Sequence, residues 1–268
     1  GDTEKLDLRL PECDGQSCPE FSVNRLHSNQ FVVDDIIDRA ILQQLARILD
    51  ISNLDQATAT DQGQQQPASA VIESNATKTA AQQMAEQVQP YVTKFLALDQ
   101  ELRTLGSSSK INLMVSAKIL NADGPLATVV LNSSSYLGGA HGSASQTYYN
   151  FDLKHQKQVS LDDLLLPQQK ANLEKLAYQA FKVWVTDAKL ADNMAEYEQV
   201  WKFSLSNNFY LGQNGLILQY DEYEIGPYVA GLPRLEIPYS QLQSILKKQY
   251  LPEKAEVAVA ASEVKVQS

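Results

Sequence analysis

The fold is decided by one stretch, residues 110–136, which reads KINLMVSAKILNADGPLATVVLNSSSY. Apolar and polar residues alternate on both sides of Asn121–Pro125, a pattern typical of half-buried β-strands. The central NADGP segment predicts a tight turn, in which Gly124 supplies a positive φ and Pro125 has a fixed φ. The stretch therefore predicts a β-hairpin.

Outward from this hairpin, the second half of the chain alternates between strand and helix patterns. Asn214–Gly215 predicts a type I′ turn between two short strands, Ser160 is suited to cap a helix start, and Pro167 is expected to restart a long helix. The predicted strands are 146–153, 209–211, 216–220 and 234–237, and a last helix is predicted from Pro238.

The first half reads as two short strands followed by helices. The strands are predicted at 6–10 and 21–23, and a helix capped by Asp34 or Asp35 follows, with apolar residues at helical spacing. A second helix is predicted over 79–105, where Pro90 either kinks it or starts a new segment.

Together these elements predict an α+β protein in which antiparallel sheet packs against helices. We expect a small amino-terminal domain over 1–105, a larger carboxy-terminal module over 106–251 and a loosely held tail over 252–268. Residues 53–76 are rich in Gln, Ala, Ser and Thr, so we expect them to form a loop outside the core.

Charge and hydropathy exclude several classes of function. The chain has 22 Lys and Arg against 32 Asp and Glu, a formal net charge of −10 at pH 7. Such a surface repels phosphate backbones and anionic lipid, so we expect no nucleic-acid partner and favour a basic one. The longest apolar run, Val257–Ala261, is far shorter than the roughly 18 residues of a membrane-spanning helix.

The two cysteines indicate the compartment. Cys13 and Cys18 flank a turn at Asp14–Gly15 that brings the sulfurs together, so we expect a disulfide. Free thiols or half of a zinc site are the alternatives, although the three histidines lack ligand spacing. A disulfide places the protein in the periplasm or outside the cell, and we expect a removed signal peptide.

Two clusters are candidate sites. Three glycines surround His141 in the first, which indicates a backbone that turns sharply or is closely approached. His141 could pair with Ser143 or Ser145 as base and nucleophile, but a structural or ligand-contact role is favoured because no nucleophile elbow is visible. The residues expected to contact ligand here are Gly138, Gly139, His141 and Gly142.

The second cluster interleaves carboxylates with tyrosines over 221–231. It could bind a sugar, pair with a cationic partner, act as acid and base, or simply be solvated. The residues expected to contact ligand here are Glu222, Tyr223, Glu224 and Tyr228. We expect both clusters to lie near each other and to form one recognition surface, without a metal or another cofactor.

Six ordered motifs carry a family resemblance. They are Gly138–Gly142, Tyr148–Leu153, Val159–Leu164, Phe209–Leu211, Asn214–Leu216 and Tyr223–Gly231. Together they resemble the carboxy-terminal module of the RsiV-like extracytoplasmic family, which occurs in a lysozyme-sensing anti-sigma factor and beside the peptidoglycan deacetylase PdaC. Residues 6–105 resemble the smaller domain that precedes this module.

Together with the net charge of −10 and the glycine- and tyrosine-rich loops, the resemblance favours a non-catalytic periplasmic or cell-envelope binding module. We expect it to recognise peptidoglycan fragments or a cationic wall-cleaving enzyme such as lysozyme. The Gln-rich segment over 53–76 and the cysteine loop depart from the family and indicate a Gram-negative, periplasmic branch. For this branch we expect a lipid anchor upstream, as in an outer-membrane lipoprotein. Two alternatives stay open: an enzyme acting on cell-wall sugars through Asp221, Glu222 or Glu224, and a structural lipoprotein without a small ligand.

Overall fold

The computed structural model describes residues 2–15, 17–51 and 77–253. This part of the chain contains nine strands and four α-helices, which confirms the predicted α+β class. No helix in these ranges combines the length and apolar character needed to cross a membrane. The predicted loop over 53–76 and most of the predicted tail lie outside the described residues.

The strands are β1 (Thr3–Lys5), β2 (Glu20–Leu26), β3 (Asn112–Asn121), β4 (Ala127–Tyr136), β5 (Ser143–Asp152), β6 (Lys157–Gln158), β7 (Phe209–Leu211), β8 (Gly215–Gln219) and β9 (Arg234–Pro238). The helices are α1 (Phe31–Ile48), α2 (Ala80–Thr104), α3 (Lys170–Asp187) and α4 (Met194–Val200).

The strands form two sheets. β1 to β6 follow one another in the first sheet, and β7 to β9 form the second. Within the first sheet β2 and β3 run parallel, with Phe21 opposite Leu113, whereas β1–β2 and β5–β6 are antiparallel. The predicted hairpin partners β3 and β4 are neighbours.

The chain divides into two compact units. The first comprises Gly1–Lys118 and Leu131–Ala144, and the second comprises Ile119–Val130 and Ser145–Ser268. β3, β4 and β5 each contribute residues to both units, so the units are not consecutive along the chain. The predicted domain boundary after residue 105 does not coincide with this division and stays a prediction.

The core of the first unit lies under α1 and α2. Ile37, Ile41 and Leu45 recur at helical spacing along α1 and are fully buried. In α2, Phe95 is also buried, and its ring centroid lies 5.3 Å from that of Phe21 on β2. These contacts join helices and sheet in one apolar core.

The core of the second unit lies between α3 and the second sheet. Leu173, Ala177, Phe181 and Val185 form one buried stripe of α3, because residues three and four apart share a helix face. This stripe belongs to the same apolar cluster as Leu216, Leu218, Leu235 and Ile237 from β8 and β9.

Two predictions about the first half are wrong in detail. α1 begins at Phe31, before Asp34, whose carboxylate accepts hydrogen bonds from the Ser28 N–H and hydroxyl instead of capping the helix. Residues 6–10 form no strand. The Leu6 N–H still bonds to the Val23 carbonyl oxygen on β2 at 2.9 Å, but the backbone of Arg9 bonds to the side-chain amide of Gln89, at 3.1 and 3.0 Å.

Of the other helices, α2 agrees with the sequence pattern, whereas the last predicted helix and α4 do not. Thr79 and Gln82 form a capping box at the start of α2, which continues through Pro90 as one helix. The last predicted helix is only a short 3-10 turn over Tyr239–Gln241. Helix α4, capped by Asn193, was not predicted.

The predicted turns exist, but their glycines act differently from the prediction. Neither Gly124 nor the Asn214–Gly215 pair has a positive φ, so the second turn is not type I′. Gly215 is required because a Cβ there would lie 2.3 Å from the Ile237 carbonyl oxygen on β9. Close approach of two strands therefore selects this glycine.

Candidate functional site

The aromatic–acidic loop, residues 221–231, connects β8 to β9 in the second unit, and its middle is held in place by buried contacts. Ile225 is fully buried, and its carbonyl oxygen accepts a hydrogen bond from the Tyr197 hydroxyl at 2.7 Å. A Cβ on Gly226 would lie 2.9 Å from Cη2 of Trp184. Helices α3 and α4 thus hold the middle of the loop through two aromatic side chains.

Tyr220 fixes the start of the loop. Its ring is fully buried, and its hydroxyl donates to the Ser204 carbonyl oxygen at 2.6 Å and accepts from the Ser206 N–H at 3.2 Å. Burial raises the pKa of the Tyr220 phenol well above its usual range. The phenol therefore serves as a neutral structural group.

The outer side of the loop presents two tyrosines. The ring centroids of Tyr223 and Tyr228 lie 5.8 Å apart, and Tyr223 is 53% exposed. Tyr223 also has a φ of +65°, which is rare for a bulky residue and persists only where surrounding structure enforces it. An exposed aromatic side chain held in this conformation is typical of a binding surface.

The carboxylates of the loop differ in their contacts. Glu224 Oε1 accepts the Asp221 N–H at 2.9 Å, and the Glu224 N–H donates to the Asp221 carbonyl oxygen at 3.2 Å. Desolvation raises the pKa of the Glu224 carboxyl, although the residue keeps considerable exposure. Glu222 is half-buried. One of the three predicted acidic residues therefore stabilises the loop itself.

The glycine loop, Gly138–Gly142, connects β4 to β5 and lies in the first unit. Gly138 has a φ of +94°, and a Cβ there would lie 2.9 Å from Leu102 Cδ1. A Cβ on Gly142 would lie 3.0 Å from the Ser135 carbonyl oxygen, whereas one on Gly139 would meet open space. The predicted close approach therefore occurs at two of the three glycines.

His141 is exposed, and its Nδ1 lies 3.1 Å from the Gly142 carbonyl oxygen. Its pairing with Ser143 or Ser145 stays a prediction. The two loops belong to different compact units, and the shared recognition surface also stays a prediction. Within the second unit, the structure brings together Tyr223 with Tyr228 and Asp221 with Glu224.

A polar cluster that the sequence analysis missed surrounds Arg234 in the second unit. The Arg234 guanidinium donates to Gln219 Oε1 at 2.8 Å and to the Tyr148 hydroxyl at 3.1 Å, and it also bonds to Gln146. The rings of Tyr148 and Tyr210 lie 4.4 Å apart. These residues are distant in sequence, so no local pattern could have revealed them.

Within the described ranges, no group of three or more His, Cys, Asp or Glu side chains is arranged to hold a metal ion. Cys13 and Cys18 are joined in a disulfide, as predicted. The zinc alternative for these cysteines is therefore not realised.

Part of the chain matches a known protein family. Residues 162–240 match the family described as "Protein of unknown function (DUF3298)". This range contains α3, β7, β8 and the whole aromatic–acidic loop. Similarity to the RsiV-like branch in particular stays a prediction.

Relatives and solved structures extend this similarity. Over 161 residues the chain is 27% identical to the peptidoglycan-N-acetylmuramic acid deacetylase PdaC of Bacillus subtilis, covering 58% of this chain and 32% of that protein. The chain thus spans about a third of the length of this relative.

Two crystal structures share the fold. A DUF3298 family protein from Pseudomonas aeruginosa is 27% identical, with a TM-score of 0.62 and coverage of 93% of this chain and 96% of that one. Another member, from Bacteroides fragilis, is 18% identical, with a TM-score of 0.52 and coverage of 93% and 95%. The second likeness concerns the fold alone.

Proposed function

We propose that this protein is a non-catalytic binding module of the cell envelope that recognises peptidoglycan through the aromatic–acidic loop. The observation that carries the proposal is the pair Tyr223 and Tyr228, displayed on a loop whose underside is fixed by buried contacts. Tyrosine offers a flat apolar face and a polar hydroxyl at low conformational-entropy cost, which suits it to recognition surfaces.

The comparisons support a role at the cell wall. PdaC acts on peptidoglycan by its name, and the similarity to it covers more than half of this chain. The disulfide supports an extracytoplasmic location, because such bonds persist in oxidising compartments. Periplasmic placement and anchoring as an outer-membrane lipoprotein are parts of this proposal.

A cationic wall-cleaving enzyme such as lysozyme is the second candidate ligand. Asp221, Glu222 and Glu224 place three carboxylates on one loop, and the chain carries a net charge of −10. Opposite charge accelerates encounter and favours contacts with arginine side chains. His141 and the glycine loop would add further contacts if both loops serve one surface.

The enzymatic alternative assigns acid–base chemistry to the same carboxylates. In the structure, Glu224 accepts a backbone hydrogen bond from Asp221, which is a loop-closing role. We therefore assign the carboxylates to loop structure and ligand contact, and test catalysis directly.

The test is binding of the full chain to sedimented peptidoglycan and, separately, to lysozyme. We expect Tyr228→Ala to weaken binding by about 2 kcal/mol, or roughly 30-fold, while its free energy of unfolding changes less. Leu105→Ala is the matched control, because Leu105 is 81% exposed at the end of α2 and lies outside both loops.

The outcomes separate the candidates. Binding to lysozyme without binding to peptidoglycan would leave only the second candidate, and salt should then weaken it. Turnover of peptidoglycan that is abolished by Glu224→Gln would establish the enzymatic alternative. Equal weakening by Tyr228→Ala and Leu105→Ala would contradict the assignment of the loop.

A further inference from the structure

A groove of about 590 Å³ lies between β9 and α3 in the second unit. All five residues of β9 line it, together with one stripe of α3 that includes Leu176, Ala180, Val183 and Asp187. These four positions are three or four residues apart and share one helix face. Val183 is 58% exposed, so an apolar surface of α3 faces solvent beside the strand.

One edge of β9 is paired with β8. Beyond the ends of the two strands, the Tyr220 N–H donates to the Pro233 carbonyl oxygen at 2.9 Å, and the Tyr239 N–H donates to the Asn214 carbonyl oxygen at 3.3 Å. Hydrogen-bonded pairs alternate along antiparallel strands, and the register places Leu235 opposite Leu218. Residues 233, 235, 237 and 239 therefore direct their backbone groups toward β8.

The other edge of β9 is open. By the same alternation, the N–H and C=O groups of Arg234 and Glu236 point away from β8. β9 is the last strand of its sheet, and no backbone partner for these groups lies within residues 2–15, 17–51 and 77–253. An open strand edge beside a helix is the geometry that accepts an added strand.

The charges around the groove select the occupant. In the described part of the chain, Asp187 and Glu236 form no salt bridge. Arg234 is the groove's one basic residue, and its guanidinium bonds to Gln219 and Tyr148. Neither carboxylate is therefore neutralised by an ion pair within the described residues, which favours basic side chains in a ligand.

We propose that this groove binds an extended peptide segment as an additional strand on β9, with apolar side chains against α3 and basic side chains on the opposite face, beside Glu236. Alternation follows from strand geometry, because successive side chains point to opposite faces. A basic residue opposite Glu236 makes a favourable cross-strand pair. Charged residues also protect sheet edges from aggregation, but that role requires no apolar groove alongside.

The probe is the peptide acetyl-Val-Lys-Val-Lys-Val-amide, titrated into the ¹⁵N-labelled full chain. We expect the Glu analogue, with both lysines replaced, to bind at least ~tenfold more weakly. N-methylation of the amides that pair with Arg234 and Glu236 removes their hydrogen bonds, whereas N-methylation of the alternate amides leaves them intact. Only one of the two methylated series should therefore lose binding.

Protein variants locate the site. Val183→Asp should weaken peptide binding at least ~tenfold by burying a charge against the ligand, and the matched control Val200→Asp, at a valine 72% exposed on α4, should leave it unchanged. Tyr228→Ala should also leave it unchanged, which separates this site from the proposed peptidoglycan surface.

Four results would overturn the proposal. The first three are failure of the peptide to bind, equal binding of the two methylated series, and equal effects of Val183→Asp and Val200→Asp. Concentration-dependent dimerisation that Val183→Asp abolishes would assign the groove to a second copy of the chain and would likewise overturn it.

Discussion

The glycine loop and the aromatic–acidic loop are both glycine-containing strand connections, but they are stabilised in different ways. In the glycine loop, the backbone itself makes the close contacts, and Gly138 and Gly142 are required because a Cβ would meet Leu102 or the Ser135 carbonyl oxygen. In the aromatic–acidic loop, the close contacts are made by side chains of other elements, Tyr197 of α4 and Trp184 of α3.

This difference determines what each loop can display. A loop built on its own glycines leaves few side chains to present, and His141 is its one titratable group. A loop held from beneath by aromatic side chains can carry large residues on its outer side, even one with a positive φ such as Tyr223. Recognition by side chains is therefore better supported in the aromatic–acidic loop.

We expect the largest loss of stability from replacing Tyr220, the buried residue at the start of the aromatic–acidic loop. We expect Tyr220→Ala to lower the free energy of unfolding by about 4 kcal/mol, because it leaves a cavity in the core and removes the partner of the Ser206 N–H. Denaturant unfolding of wild type and variant measures the change.

Tyr228→Ala is the matched comparison, since it removes the same side chain from the outer side of the loop. Tyr228 is half-buried and contacts Tyr223, so we expect a loss of only about 1 kcal/mol of stability. Similar losses for the two variants would show that Tyr228 belongs to the core and would remove the contrast between the loop's two sides.

An effect between those two is expected in the glycine loop. Gly138→Ala should destabilise the protein by about 2 kcal/mol, because alanine is strained at a φ of +94° and its Cβ would press on Leu102. The measurement is again denaturant unfolding.

Gly139→Ala provides the control for that substitution. A Cβ on Gly139 would meet nothing within 4 Å, and the φ of this residue is not positive. We expect a change within about 0.5 kcal/mol. If both alanine variants cost the same, the loop does not depend on close approach at Gly138.

The sequence pattern predicted the elements well where periodicity and turn residues agree. The hairpin neighbours β3 and β4, the β7–β8 hairpin and the helix over 79–105 are all confirmed, because each depends on local alternation or helical spacing. Turn mechanism was less predictable. Gly215 has no positive φ, and its requirement comes from Ile237, which is more than twenty residues away in sequence.

The candidate site was predictable in composition but not in arrangement. The density of tyrosine and carboxylate over 221–231 identified this loop as a candidate, and its role as a site stays a prediction. Local sequence could not separate buried Tyr220, at the start of this loop, from exposed Tyr223. The residues that bond to the Tyr220 hydroxyl, Ser204 and Ser206, are 16 and 14 residues away in sequence. Arg234 was missed for the same reason, since its partners come from β5 and β8.

The smallest expected effect concerns the charge of Glu224, which makes the stability of the aromatic–acidic loop depend on pH. Desolvation raises the pKa of the Glu224 carboxyl in the folded state, so between the ordinary value of about 4.3 and the raised value the folded state binds more protons than the unfolded state. This contribution therefore lowers stability as pH rises through that window.

Glu224→Gln should remove this pH dependence while its amide oxygen continues to accept the Asp221 N–H. Because Glu224 remains considerably exposed, we expect a gain of less than about 0.5 kcal/mol at pH 7, disappearing below the ordinary carboxyl pKa. Unfolding curves of the wild type and the variant at about pH 3.5, 5 and 7 would detect this gain, because these values lie on both sides of the ordinary carboxyl pKa. A loss of stability at pH 7 would instead mean that the hydrogen bond to Asp221 requires the ionised carboxylate, in which case this loop is stabilised by charge as well as by its buried aromatic side chains.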